Sequence, residues 1–129
     1  MSGKNGFTKT SGGAPVQILA VVDPQVSFGC LVSDTGVTAS DNRKIVKAGT
    51  PLVGDLTARQ TAFTVVGSSD AAKVIGVLLH DVDVTDGANN GTCLVFGWVN
   101  QDMIDATTQA LWTAGVKTAL NGKVTLVKA

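Results

Sequence analysis

Two apolar runs separated by a loop of turn formers constrain this chain more than anything else in it. The first spans Lys73 to Val84 and holds Val74-Ile75-Gly76-Val77-Leu78-Leu79; the second spans Gly91 to Asn100 and reads Gly-Thr-Cys-Leu-Val-Phe-Gly-Trp-Val-Asn. Between them lies Asp86-Gly87-Ala88-Asn89-Asn90, rich in residues that tolerate positive φ. Runs this short and this rich in β-branched and aromatic residues read as buried strands of one hairpin. After Leu79 the first run alternates, with His80, Val82 and Val84 on one face and Asp81 and Asp83 on the other.

The rest of the chain fits the same fold class. All ten acids are Asp, there is no Glu and no Tyr, and Gly occurs 15 times. Asp favours turns and caps over helix interiors. Strands are expected at Val16–Val22, stopped by Asp23-Pro24, and at Val26–Val32. Arg43–Lys47 adds a short strand, and Ala48-Gly49-Thr50-Pro51 is a break leading into Leu52-Val53. Turns fall at residues 33–36 and 39–42. Residues 54–72 are the least regular, with a strand at Ala62–Val66 and a loop at 67–70. Asn100 is a helix cap ahead of Gln101-Asp102-Met103-Ile104, and Ile104, Thr108 and Leu111 share a helical face with Trp112 beside it. Ala114-Gly115 interrupts, a second helical turn reaches Leu120, and Asn121-Gly122 ends it. Lys123–Lys128 alternates as a closing strand. The expected fold is mainly β with one or two short C-terminal helices, and neither a repeat nor an interdomain linker is visible.

With 129 residues the chain is one domain. Residues 1–14, rich in Gly, Ser, Thr, Lys and Asn, read as a flexible N-terminal arm that buries too little apolar surface to order itself; residues 15–129 form the domain. The start of the sequence has no apolar signal region, so synthesis in a cytoplasm is expected.

Charge excludes several functions. Ten basic and ten acidic residues cancel, and only 16% of residues are charged, against about 25% in average soluble proteins. A phosphate backbone therefore has no basic surface to bind, and no nucleic acid is expected as a partner. No apolar run approaches the roughly 20 residues of a membrane-spanning helix, so no membrane is expected either. So apolar and sparsely charged a chain commonly hides surface against another subunit.

Candidate chemistry is thin. Asp81, Asp83 and Asp86 precede Gly87, Asn89 and Asn90, but a calcium loop wants acids at first, third and fifth places and a closing Glu, and here the third acid is one place late. Strand alternation already accounts for Asp81 and Asp83. His80 is the only histidine, and Cys30 and Cys93 lie too far apart in sequence for a zinc motif. The two cysteines read as buried free thiols. No Gly-x-Ser-x-Gly elbow, phosphate loop or carboxylate pair in an apolar cleft is present. The expectation is no enzyme, no metal and no cofactor.

The order Gly49-Thr50-Pro51-Leu52, a strand with Gly76-Val77-Leu78, the strand end Gly97-Trp98-Val99-Asn100 and the terminal Ala119-Leu120-Asn121-Gly122-Lys123-Val124-Thr125-Leu126-Val127 resembles the head decoration (cement) proteins and head-fibre base domains of tailed-phage capsids. The resemblance covers roughly the last two-thirds of the chain. It implies a β-tulip-like domain, a homotrimer on the capsid exterior, and the major capsid protein as partner. It also implies that the arm, with Lys4, Phe7 and Lys9, orders on the capsid. Leu78, Leu94, Phe96, Trp98, Ile104 and Trp112 are the residues expected in the core or between subunits. The alternative is a β-sandwich adhesion or carbohydrate-binding module, with Trp98 and Trp112 as stacking platforms.

Overall fold

The computed structural model describes residues 18–67 and 69–128, with backbone alone at 20–24. Its centre is a six-stranded sheet in the order β1 (Leu19–Val32), β7 (Asn89–Asn100), β5 (Val74–Leu78), β3 (Pro51–Val53), β4 (Thr64–Val65), with β8 (Val124–Val127) on β7. All neighbours are antiparallel except β7 and β8, which run parallel. A second, two-stranded sheet joins β2 (Ile45–Val46) to β6 (Val82–Asp83). Two short helices, α1 (Ala106–Gln109) and α2 (Ala114–Ala119), precede β8. The fold is mainly β with its helices near the C-terminus, as the composition indicates.

Strand alternation sorts the apolar residues onto the two faces of the large sheet. One face carries Val77, Leu79, Leu94 and Val99, covered by Ile104, Trp112, Val116, Leu120 and Val124. The other carries Leu78, Cys93, Cys30 and Val32, covered by Phe63 and by Val46, Val82 and Val84 of the small sheet and its flank. Consecutive residues thus belong to different cores: Leu78 to one and Leu79 to the other, Cys93 to one and Leu94 to the other.

Three expectations need correction. Asp23-Pro24 does not end a strand, because β1 runs through it. Proline cannot donate to a ladder, and the ladder yields locally: Val21 pairs with Trp98 and Val26 with Phe96, so residues 22–25 stand against Gly97 alone. The run Lys73–Val84 is not one strand. It leaves the large sheet after Leu78, bends at 79–81 and re-enters pairing as β6 in the small sheet. Ala114-Gly115 does not interrupt a helix but forms the first turn of α2. The break lies at 111–113, where Thr113 caps α2 by accepting the Val116 amide at 3.4 Å. Within 54–72, Asp55–Thr61 forms successive turns.

Other local readings hold. The turn Ser40–Arg43 has both central residues, Asp41 and Asn42, at positive φ (54° and 65°) and closes with reciprocal bonds of 2.7 and 3.0 Å. That is the primed geometry that matches strand twist. Asn100 Oδ1 accepts the Asp102 amide at 3.0 Å and starts a 3₁₀ turn at Gln101–Met103. Burial of Ile104 and Thr108, with Leu111 half-buried, follows the expected face.

The Gly49-Thr50-Pro51 break does more than turn the chain. Gly49 sits at φ +93°, and a Cβ there would meet the Ile104 side chain at 2.9 Å. Its carbonyl accepts the buried Trp112 indole N–H at 2.8 Å. Its amide donates to Leu78 at 2.7 Å, and the Leu78 amide returns to Thr50 at 2.9 Å. The break is therefore the seat on which the segment after β7 packs.

Candidate functional site

Charge is absent from two paired stretches of the fold. Residues 25–33 of β1 and its end, and residues 89–100 of β7, contain no Asp, Lys, Arg or His, and they lie side by side in antiparallel register. On this ribbon Val26 is 44% exposed, Phe28 38% and Phe96 36%, in a chain where most large apolar side chains are buried. A register shift explains how Phe96 comes to the surface. Ser27 pairs with Leu94 but Val26 pairs with Phe96, so β7 carries one extra residue there. Such a bulge re-aims the side chains beyond it. Leu94 faces the core and Phe96, two places on, stands opposite exposed Val26. The Trp98 ring meets that of Phe96 edge-on, at 5.4 Å between centroids and 74° between planes.

A cleft of about 870 Å³ lies beside this ribbon, between Gly29–Leu31 of β1 and the turns at 56–61. Arg59 reaches across it, donating to the Gly29 carbonyl at 3.0 Å with its guanidinium 5.5 Å from the Phe28 ring centroid. A cation so placed is attracted by the ring face and holds the exposed phenyl in position. Leu56, on the rim of the cleft, is 37% exposed.

The six residues expected in core or subunit contacts therefore divide. Leu78, Leu94, Ile104 and Trp112 are in the core. Phe96 is at the surface and Trp98 half-buried beside it, so neither belongs to the interior packing. Trp112 is 6% exposed and its N–H is spent on Gly49, which removes it as a sugar platform. Lys4, Phe7 and Lys9 lie outside the described residues. Val26 and Phe28 were not singled out by sequence; their signal was the missing charge along the paired stretches 25–33 and 89–100.

The carboxylates of Asp81 and Asp83 are committed to structure. Asp83 accepts from Thr85 Oγ1, from the Thr85 amide at 2.9 Å and from Arg43. The Thr85 hydroxyl first, then Arg43, hold its carboxyl down at about 2. Asp81 accepts the Ala48 amide at 2.7 Å and lies 3.9 Å from Lys47. These carboxylates pin the small sheet, and among the described residues no three His, Cys or acidic side chains are grouped to hold a metal. His80 is half-buried at the bend between β5 and β6, and among the described residues its Nδ1 has no partner. Cys30 and Cys93 are both buried and unbridged. Burial, and then the nearby Cys30, push the Cys93 thiol up to about 12; burial raises Cys30 too, offset in part by Arg59. Thiols so shifted are poor nucleophiles near neutral pH.

No protein-family model matches the chain, and no curated protein is similar to it in sequence.

Proposed function

We propose that this protein is a structural component of a tailed-phage head, a decoration protein or head-fibre base that assembles as a homotrimer and binds the outside of the capsid. The observation that carries this reading is the uncharged β1–β7 ribbon, with Val26, Phe28 and Phe96 exposed on a neutral chain. A contact between copies would bury these apolar side chains on strand stretches that carry no charge of their own, with the Arg59 guanidinium over the Phe28 ring at the edge of the contact. The resemblance in sequence order supplies the kind of assembly, and the Gly49 amide, donating to the Leu78 carbonyl at 2.7 Å, joins two of the segments that carry it. The role is mechanical: each subunit bridges neighbouring capsomers and raises the energy needed to separate them. The major capsid protein is the partner, and the segment with Lys4, Phe7 and Lys9 adds contacts to it.

The test has two parts. Light scattering at tens of micromolar should give the mass of a trimer, whose interface would bury roughly 1,200–2,000 Å². Sedimentation with expanded empty heads should carry the protein down. A strictly monomeric species that ignores heads and is retained on a glycan array would replace this reading with the adhesion module, in which the Phe96–Trp98 pair is the stacking surface.

A further inference from the structure

The chain contains three Asn-Gly pairs, at 5–6, 90–91 and 121–122, the first outside the described residues. Asn-Gly is the sequence most prone to deamidation, because no side chain on the second residue hinders its backbone nitrogen. That nitrogen attacks the Asn side-chain carbonyl carbon, ammonia leaves, and a five-membered succinimide forms. Water then opens the ring at either carbonyl, giving Asp or, with the main chain rerouted through the side chain, isoaspartate. No oxidant or cofactor is needed. What decides the rate in a folded protein is whether the backbone can reach the ring geometry and whether the attacking amide is free.

The two described pairs differ on both counts. Asn90 and Gly91 lie in β7, with Asn90 opposite Leu31 and Gly91 opposite Cys30 in the β1 ladder. A Cβ on Gly91 would meet Val32 and Val82 at 2.9 Å, so the backbone is also packed from the side. Asn121 and Gly122 sit in the turn between α2 and β8, both exposed. Gly122 is at φ +78° with nothing within 4 Å of where a Cβ would stand. Among the described residues its amide donates no hydrogen bond, whereas those of Asn121, Lys123 and Val124 on either side all do.

We infer that Asn121 is a spontaneous deamidation site, and that the turn after α2 acquires a negative charge and, in the isoaspartyl form, an extra backbone carbon as the protein ages. The charge would fall at the C-terminal end of α2, the end that disfavours anions. The extra carbon would fall inside the loop that Leu120 closes, where its carbonyl accepts Lys123 at 2.8 Å and Val124 at 3.1 Å. Those bonds set the start of β8, so modification at 121 loosens β8 on β7. This holds whatever the protein binds.

Incubation of the native protein at mildly alkaline pH, followed by peptide mapping with isoaspartyl methyltransferase labelling, tests it. Asn121 should convert faster than Asn90 by on the order of tenfold or more, because β7 must open before Asn90 can react. In urea the two should convert at similar rates. The aged native protein should melt at a lower temperature than the fresh protein, and Asn121→Gln should abolish that drift. Equal rates at 90 and 121 in the native protein would overturn the inference. So would an Asn121 that converts in urea and stays intact when folded.

Discussion

The two tryptophans stand at the centres of two regions that treat apolar surface in opposite ways. Around Trp112 every device serves closure. The indole is buried, its N–H is bonded, Gly49 leaves room for Ile104, and Val116, Leu120 and Val124 complete the cover. Around Trp98 the same residue types stay open. A bulge brings Phe96 to the surface opposite Val26, Phe28 lies under a guanidinium rather than under a hydrophobic lid, and residues 25–33 and 89–100 carry no charge. Packing for stability and surface for contact are thus separated in space, although both regions draw on β7.

Substitutions in the two regions should therefore fail in different ways. The largest effect belongs to Trp112→Ala, which removes a buried ring and orphans the Gly49 carbonyl; a loss of roughly 3–5 kcal/mol is expected, read by urea denaturation. Trp98→Ala should cost less than Trp112→Ala, since its ring is only half-buried, and equal losses would erase the contrast. Next in size is Gly49→Ala, which places a side chain at φ +93° and against Ile104; about 1–3 kcal/mol should be lost. A neutral result there would mean that the seat under Trp112 is pliable.

In the open region stability and association should part company. Phe28→Ser and Phe96→Ser should each lower unfolding free energy by about 1–2 kcal/mol, less than Trp112→Ala, yet lower the mass seen in light scattering. A double variant that keeps the oligomer would move the contact elsewhere. The smallest effect is electrostatic. Asp83 has its carboxyl lowered from 3.8 to about 2 in the folded protein, so its contribution is present above pH 4 and lost as pH falls through 2. Melting curves of the protein and of Asp83→Asn should differ above pH 4 and converge below 2. A gap that persists in acid would assign the loss to packing instead.

Local chemistry was the legible part of this fold. The Asp41-Asn42 turn, the Asn100 cap and the Val82–Val84 alternation each depend on side chains within a few residues of one another, and each is where the pattern puts it. What the pattern did not reveal depends on a distant partner. Asp23-Pro24 breaks a ladder in isolation, but a long facing strand can bridge a four-residue bulge. The passage of 73–84 from one sheet to the other needs β2 in place, and the parallel docking of β8 needs β7. The exposed ribbon was half legible: apolar residues at 92–99 marked a strand, while the shift that turns Phe96 outward arises only from pairing with β1.

Leu78 and Leu79 are joined by a single peptide bond and belong to cores on opposite faces of the sheet. Pulling either leucine out drags the other with it, so neither core has a cheap way to open alone. Slow amide exchange should therefore span both faces as one cooperative block, and a load applied to the outer ribbon should meet the whole domain rather than a strand that peels away.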